Sequence, residues 1–243
     1  MAPRAKPGRA AGEHRLVVAI DGPAASGKSS TAHLVAMRSG LYHVDSGALY
    51  RAATAAALRL QPDVSRWTEP ALLTAARVVT LEARATGFRP TISGGEMDAE
   101  IRGAGVTRHV SVVAQMPGIR TWVNEQIRAL ARRYEIVVDG RDIGTVVFPD
   151  AALKVFLVAD PWERARRRLS ERFERQPTEA EIAEETDRLV QRDARDATQT
   201  VQAKDAILID TTMLTQEEQV SRIVALVDAA RGRDLDEGGA PGG

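Results

Sequence analysis

The feature that most constrains this chain is the segment Gly22-Pro-Ala-Ala-Ser-Gly-Lys-Ser29, which matches the pattern G-x-x-x-x-G-K-[ST]. The strand-like run Val17–Asp21 precedes it directly, and a helical pattern begins at Lys28. Glycines in such a turn let successive backbone N–H groups point at phosphate oxygens beside a helix N-terminus. A simple strand-to-helix turn does not need the Lys-Ser pair. The motif therefore predicts a phosphate-binding loop (P-loop) in which Lys28 reaches the β- and γ-phosphates and Ser29 holds Mg²⁺.

Short apolar runs alternate with helical patterns along the rest of the chain. The runs lie at residues 16–20, 136–138, 153–158 and 206–209, and the helical patterns at 28–38, 48–60, 119–133, 161–175, 179–196 and 216–230. Buried parallel strands are short and continuously apolar, and strands that alternate with helices are typical of α/β folds. The sequence therefore predicts an α/β fold with a parallel sheet flanked by helices.

The length of 243 residues fits one large domain, or a core with an insertion. Residues 62–116 break the alternation, because a weak helical pattern is followed by a hairpin-like pair of runs at 78–83 and 89–93. We interpret this region as an insertion beside the sheet. Residues 1–14 and 232–243 lack periodicity and are rich in Gly, Ala and Pro, so they are predicted to be disordered tails around a domain of residues 15–231.

Composition excludes several classes of function. The chain has no cysteine, which excludes disulfides, thiolate metal sites and thiol catalysis. Its 33 basic residues balance 33 acidic ones, so there is no basic excess of the kind that binds nucleic acid. No run approaches the roughly 18 apolar residues of a membrane span. The prediction is a soluble, cytoplasmic protein with neither a membrane nor a nucleic acid as partner.

A second polar segment is Asp45-Ser-Gly-Ala-Leu-Tyr-Arg51. Asp45 or Ser46 can cap the helix that begins near Ala48, and this can be the whole role of the segment. Arg51, however, lies about one turn into that helix. Because ligands of open α/β sheets bind beyond the carboxyl ends of the strands, Arg51 is a candidate to meet an anionic substrate.

A third segment, Asp139-Gly-Arg-Asp142, follows the apolar run at 136–138. Nucleoside triphosphatases place a carboxylate near the Mg²⁺ water shell at such a position. Alternatively, Asp139 merely ends a strand. Arg141 suits a phosphate, which it can bind with two hydrogen bonds, and the carboxylate of Asp142 can accept a hydrogen bond from an exocyclic amine.

Arginines recur in two neighbouring helical patterns. They are Arg164, Arg166, Arg167 and Arg168 in the first pattern, and Arg188, Arg192 and Arg195, which share a face, in the second. Acidic neighbours such as Glu163 and Asp193 allow a salt-bridged solvent face. The alternative is a mobile lid that brings positive charge to a transferring phosphoryl group. The sequence leaves both interpretations open.

Together these segments resemble the bacterial cytidylate kinases. The shared stretches are Ile20–Ser29, Asp45–Arg51, Glu100–Arg102, Asp139–Asp150 and Leu153–Leu157, of which Asp139–Asp150 is the most specific. The resemblance implies transfer of a phosphoryl group from ATP, with Mg²⁺, to CMP or dCMP. It also implies a fold of the P-loop NTPase type, with a five-stranded parallel sheet, a monophosphate-binding insertion at about 62–116 and a helical lid at about 161–200. A monomer is expected.

The resemblance also implies roles for individual residues. The ATP-binding set is Gly22, Pro23, Ala24, Ala25, Ser26, Gly27, Lys28, Ser29, Ser30 and Arg167, with Ser29 as the metal ligand. The monophosphate set is Ser46, Arg51 and Arg141 at the phosphate, Ser111, Arg120 and Asp142 at the cytosine, and Arg192 and Asp196 at the ribose or phosphate. The catalytic set is Lys28, Arg141, Asp142 and Arg192. This chain departs from the family at Gln199, where an arginine is usual.

Two other functions share some of these features. A kinase of a small metabolite, such as shikimate or gluconate, would have the same loop and arginines, but the insertion and the Asp139–Asp142 segment argue against it. A nucleotide-regulated switch is the non-catalytic alternative. The sequence lacks the Asn-Lys-x-Asp guanine motif of GTPase switches.

Overall fold

The computed structural model describes residues 15–92 and 94–237. The predicted tail at 1–14, the last six residues of the chain and Ser93 lie outside the described residues. The strands are β1 (Val17–Asp21), β2 (Tyr42–Asp45), β3 (Val79–Arg84), β4 (Gly87–Ile92), β5 (Gly95–Glu96), β6 (Ile136–Gly140), β7 (Leu153–Val158) and β8 (Ile207–Asp210). The helices are α1 (Lys28–Ser39), α2 (Ser46–Leu60), α3 (Glu69–Ala76), α4 (Asp98–Ile101), α5 (Ala104–Val113), α6 (Pro117–Ala131), α7 (Pro161–Ser170), α8 (Glu179–Asp196) and α9 (Gln216–Glu237).

The described residues form two compact units. One comprises residues 42–136 with Arg15, and the other comprises residues 16–41 and 137–237. The predicted insertion at 62–116 lies within the first unit. The P-loop and all the lid arginines lie in the second.

The second unit has the predicted α/β architecture. Its strands follow the order β6-β1-β7-β8, and β7 runs parallel to both of its neighbours, with Ile20 opposite Val155 and Leu157 opposite Ile209. Helices α1 and α9 pack against this sheet through a core that includes Val35. Each large aliphatic side chain buried there contributes about 1.5–3 kcal/mol. The core therefore fixes the carboxyl end of β1, where the P-loop begins.

The first unit contains the predicted hairpin, which is confirmed as the antiparallel pair β3–β4. Strand β2, which the sequence analysis did not predict, lies parallel to β4, with His43 opposite Gly87. A Cβ atom at Gly87 would lie 2.5 Å from the carbonyl oxygen of His43, so this pairing requires glycine. Strand β2 escaped prediction because it has only four residues and contains the half-buried Tyr42 and His43 instead of a continuous apolar run.

Three helix ends show how local chemistry sets the boundaries. Helix α8 has the predicted bounds, and it begins with a capping box between Thr178 and Glu181. Helix α7 ends at Ser170, five residues earlier than predicted, because the chain turns there and Phe173 packs back onto the α7–α8 contact. Helix α9 continues to Glu237 and includes residues 232–237 of the predicted tail. Arg231, Arg233, Leu235 and Glu237 are good helix formers and offset the cost of Gly232, which is about 1 kcal/mol.

Within residues 15–92 and 94–237, no helix has both the length and the apolar character needed to cross a bilayer.

Candidate active site

The P-loop has the curled backbone that its sequence predicts. Gly22 and Gly27 adopt φ values of 150° and 81°. A Cβ atom at Gly22 would lie 2.2 Å from the carbonyl oxygen of Leu157, so no other residue fits there. Ala25 has a φ of 57°, a left-handed conformation that costs an alanine roughly 1–2 kcal/mol. Such strain persists only where the surroundings enforce it, and it is often found at functional sites.

The first turn of α1 is suited to an anion. Gly27 precedes this helix and has no side chain with which to cap it. The first N–H groups of a helix, together with its dipole, attract phosphate oxygens. Ser29 lies in this turn, and its hydroxyl is an oxygen ligand of the type that Mg²⁺ accepts alongside phosphates. The loop therefore fits the phosphates of ATP and a magnesium ion.

Lys28 is held inside the loop, although part of its side chain remains exposed. Its Nζ donates to the carbonyl oxygen of Pro23 at 2.5 Å and lies 3.5 Å from Ser26 Oγ. Burial, and then the positive charge of Arg141, lower the pKa of Lys28 to about 7, whereas the carboxylate of Asp139 opposes the shift. A phosphate anion in the loop would favour the charged ammonium group.

Asp21 anchors the turn that follows Arg141 and Asp142, a role that the sequence analysis missed. Its buried carboxylate accepts hydrogen bonds from the N–H groups of Ile143 (2.9 Å) and Gly144 (2.8 Å). Burial raises the pKa of Asp21 to about 6, although these two hydrogen bonds lower it. The only signal in the sequence was an acidic residue at the end of an apolar strand.

That turn has the wide geometry of a π-helical turn, in which the N–H of Phe148 donates to the carbonyl oxygen of Ile143 at 2.7 Å. Such turns often occur at functional sites. Asp142, which begins the turn, is buried.

Arg141, Arg192 and Asp196, which were predicted as site residues, meet in the second unit. Arg141 forms an ion pair with Asp196 at 2.8 Å and donates to the carbonyl oxygen of Gly22 at 3.3 Å. Burial lowers the pKa of Arg141. Arg192 Nε lies 3.7 Å from Asp196 Oδ2, and this buried N–H has no hydrogen-bond partner among the residues that the structure describes. Such an atom is well suited to donate to a phosphate oxygen.

The lid arginines differ in their partners and in their exposure. Arg166 pairs with Glu163 and Arg188 with Glu184 on the exposed surface, as the solvent-face interpretation predicts. Arg192 belongs to the cluster near the P-loop. Arg188 and Arg195 were predicted to share its face, but both side chains are exposed, and Arg195 donates to the carbonyl oxygen of Gln191 in its own helix.

Arg167 and Arg164 bind backbone carbonyl groups. Arg167, predicted to approach ATP, donates to the carbonyl oxygens of Thr211 (2.7 Å) and Thr212 (2.9 Å) in the loop after β8. Arg164 donates to the carbonyl oxygen of Ala24 in the P-loop at 2.7 Å. These contacts order the loops that follow β1 and β8, at the carboxyl ends of two strands of the parallel sheet, where α/β folds bind ligands.

The remaining predicted residues lie in the first unit. Asp45 caps α2 by accepting the N–H of Ala48 at 2.9 Å, and Ser46 is buried in the first turn. Arg51 donates to the carbonyl oxygen of Ile101 (3.2 Å) and to Thr107 Oγ1 (3.0 Å). Two further predicted residues of this unit are Arg120, which donates to the carbonyl oxygen of Ala114 at 3.3 Å, and Ser111, which is half-buried in α5.

Comparison with known proteins identifies the family. Residues 18–229 match the family model described as cytidylate kinase. The chain belongs to the cytidylate kinase family. Among the similar proteins, the cytidylate kinase of Limosilactobacillus fermentum is 41% identical over 88% of this chain and 96% of its own. The cytidylate kinase of Geobacillus thermodenitrificans is also 41% identical, over 89% of this chain and 98% of its own.

The resemblance drawn from the motifs is thereby confirmed, and the family match favours a cytidylate kinase over a kinase of shikimate or gluconate. Among solved structures, shikimate kinase from Bacteroides thetaiotaomicron aligns with 88% of this chain and 98% of its own, with a TM-score of 0.46 and 14% identity. Gln199, where the family usually has an arginine, lies just beyond α8. The backbone N–H of Gln199 donates to the carbonyl oxygen of Asp196 at 3.0 Å.

Proposed function

We propose that this protein transfers the γ-phosphoryl group of ATP to CMP or dCMP, giving ADP and CDP or dCDP. The observation that carries the proposal is the gathering of Lys28, Arg141 and Arg192 around a strained P-loop in a member of the cytidylate kinase family. Phosphoryl transfer requires mainly the alignment of the reactants and the stabilisation of negative charge. A P-loop surrounded by cationic groups supplies both.

ATP is proposed to bind with its phosphates along the curled backbone of residues 22–30. The N–H groups of the loop and of the first turn of α1 donate to phosphate oxygens, and Lys28 leaves the carbonyl oxygen of Pro23 to pair with the β- and γ-phosphates. Ser29 would hold Mg²⁺ beside the phosphates, and the ion would supply further charge neutralisation. Arg167, which holds the Thr211–Thr212 backbone, is proposed to approach ATP.

In the proposed reaction, an oxygen of the CMP phosphate attacks the γ-phosphorus in line, and the bond between that phosphorus and the β–γ bridging oxygen breaks. The electron pair of this bond stays on ADP. Lys28, Arg141 and Arg192 stabilise the charge at the transferring group. The attacking phosphate is already anionic, so the chain needs no strong general base.

For the monophosphate, we propose the roles that the family resemblance implies. Arg51, Arg141 and Ser46 hold its phosphate, and Asp196 and Arg192 hold the ribose or the phosphate. The cytosine is read by Ser111, Arg120 and Asp142. The contacts of Arg51 to Ile101 and Thr107 support its role, because they restrict a flexible side chain before any ligand binds.

A coupled assay with ATP and five nucleoside monophosphates tests the proposal. We expect CMP and dCMP to be phosphorylated far faster than AMP or GMP, with UMP slower than CMP. A site that hydrogen-bonds an exocyclic amine discriminates against an analogue without it, because buried polar groups are left unpaired. Equal kcat/KM for AMP and CMP would contradict the proposed substrate.

The proposal extends to a monomeric protein that acts in the cytoplasm on small nucleotides, without a nucleic acid or membrane partner. Sedimentation equilibrium at micromolar concentration tests the monomer, for which one species of the mass of a single chain is expected.

A further inference from the structure

One residue of the P-loop, Ala24, is held from both sides of its backbone by the α7 and α8 helices. Its N–H donates to Asp193 Oδ1 at 3.1 Å, and its carbonyl oxygen accepts from Arg164 at 2.7 Å. Asp193 and Arg164 are themselves an ion pair at 2.6 Å. The two charges of this set are paired with each other, while the buried Nε–H of Arg164 has no hydrogen-bond partner among the described residues.

This set of contacts is shielded from water. Arg164 is only 4% exposed and Asp193 is 24% exposed. Charged hydrogen bonds at such positions are stronger than those on the surface, and removing one partner leaves a buried charge without compensation. Ala24 also belongs to an apolar cluster with residues of both helices, namely Ala165, Leu169, Ile182 and Leu189. Helices α7 and α8 are therefore joined to the P-loop by both apolar packing and an ion pair.

The location of the ion pair connects two parts of the proposed catalytic machinery. On the P-loop, Ala24 directly precedes Ala25, whose left-handed conformation must be enforced by its surroundings. On α8, Asp193 directly follows Arg192, whose buried Nε–H has no hydrogen-bond partner among the described residues. Contacts that fix Ala24 and Asp193 therefore fix the loop and Arg192 relative to each other.

We infer that Arg164 and Asp193 are positioning residues for phosphoryl transfer: their ion pair maintains the curl of the P-loop and sets the position of Arg192 at the phosphates. The inference rests on the proposed function for its kinetic test. The same contacts also allow an inhibitory role, in which the Asp193 carboxylate blocks a loop N–H that phosphate would otherwise use. The neutralisation of Asp193 by Arg164 favours the positioning role.

The variant Asp193→Asn tests the charge, because asparagine retains an oxygen for the N–H of Ala24 but cannot form the ion pair. We expect its kcat to fall at least threefold, and that of Asp193→Ala to fall tenfold or more. The matched control is Asp187→Asn on the exposed side of the same helix, which should leave kcat and both KM values unchanged. Asp193→Asn with constants within twofold of the wild-type values would overturn the inference, whether or not Asp193→Ala folds.

A double variant separates positioning from simple loss of structure. If Asp193 acts through Arg192, the loss of kcat caused by Asp193→Asn should largely disappear in an Arg192→Ala background, because residues that act as a unit are strongly non-additive. Independent effects would multiply instead, and that result would overturn the inference.

Calorimetric titration with ADP tests the effect on the P-loop without an acceptor substrate. We expect Asp193→Asn to weaken ADP binding at least threefold, because the loop loses part of its support. Tighter binding would overturn the positioning role and support the blocking role, and unchanged binding would overturn the effect on the P-loop. The titration can be interpreted even if the wild-type protein fails to phosphorylate CMP. A failure of the positioning role can therefore be distinguished from a failure of the proposed function.

Discussion

Ion pairs in this molecule occupy two different environments. Around the P-loop, Arg141 pairs with Asp196 and Arg164 with Asp193, and all four side chains are largely shielded from water. On the surface, the pair between Arg38 and Glu217 has side chains that are 39% and 67% exposed. The geometry of the surface pair is equally good, because both terminal nitrogens of the Arg38 guanidinium group donate to the carboxylate of Glu217.

The two environments differ in how much an ion pair contributes to stability and in the cost of burying its charges. Exposed ion pairs typically contribute 0–1 kcal/mol, because water and salt screen them and two long side chains must be ordered. Burying a charge carries a large desolvation penalty, which a fold retains where the charge is used. The buried group surrounds the P-loop, and the shifted pKa of Lys28 shows the same penalty.

The largest effect is expected at Lys28. Lys28→Ala should lower kcat by two or more orders of magnitude, which corresponds to about 3 kcal/mol of lost transition-state stabilisation. The protein should remain folded, because glycines and backbone contacts shape the loop. Thermal melting and turnover are measured on the same sample, with Lys204→Ala, an exposed lysine outside the loop, as the control. Normal turnover of Lys28→Ala would remove the P-loop from the mechanism.

The comparison of buried with exposed pairs can be tested by removing the acidic partner of a further buried pair, between α7 and α8, and that of the surface pair. Glu185, whose side chain is 5% exposed, pairs with Arg168 at 3.0 Å. Glu185→Ala should lower the free energy of unfolding by about 3 kcal/mol, since it leaves a largely buried guanidinium unpaired. Glu217→Ala should change it by less than about 0.5 kcal/mol. Equal effects in urea denaturation would show that the distinction between the two environments is wrong.

A gain is expected at Gln199, where the family usually has an arginine. If residue 199 approaches the phosphates, Gln199→Arg adds a charge-assisted contact worth about 1.4 kcal/mol, which would lower the KM for CMP or raise kcat by up to tenfold. The alternative is that Arg195 already supplies this charge. In that case Gln199→Arg leaves both constants unchanged and Arg195→Ala alone is severely impaired. Steady-state kinetics of both variants and of their combination distinguish the two.

A smaller effect concerns the pH dependence of stability through Asp21. Its folded pKa of about 6 lies above the ordinary value of 3.8, so the folded state binds more protons between these two values. The stability contributed by this carboxyl is therefore greatest below its unfolded pKa and is lost as the pH rises through 6. Between pH 5 and pH 7 the wild-type protein should lose about 1 kcal/mol relative to Asp21→Asn. Parallel urea titrations that show no such difference would refute the shift.

The sequence predicted the elements whose signals are local. The P-loop combines a motif with its strand and helix, and α8 carries a capping box that marks its first turn, so both were located correctly. Strand β2 lacked a local signal, because its place in the sheet depends on pairing with the distant β4. The P-loop was thus predictable from the sequence, whereas strand β2 was not.

The contacts that surround the P-loop could not be predicted for a related reason. Arg164 and Asp193 were visible only as members of a charged helical pattern, and their contacts with Ala24 span 140 and 169 positions of the chain. The spacing within α8 also placed Arg188, Arg192 and Arg195 on one face, although only Arg192 belongs to the cluster. Helical periodicity gives the direction of a side chain and not its partner, which tertiary packing decides.

The most direct test of the account follows the phosphoryl group itself. The protein is incubated with ATP labelled at the γ-phosphorus and with CMP, and the labelled products are separated. If this P-loop serves cytidylate phosphorylation, the label appears in CDP, at its β-phosphate, in proportion to the ADP formed. Label that appears only in inorganic phosphate, or that remains in ATP while CMP is unchanged, would contradict the assignment of this P-loop to cytidylate phosphorylation.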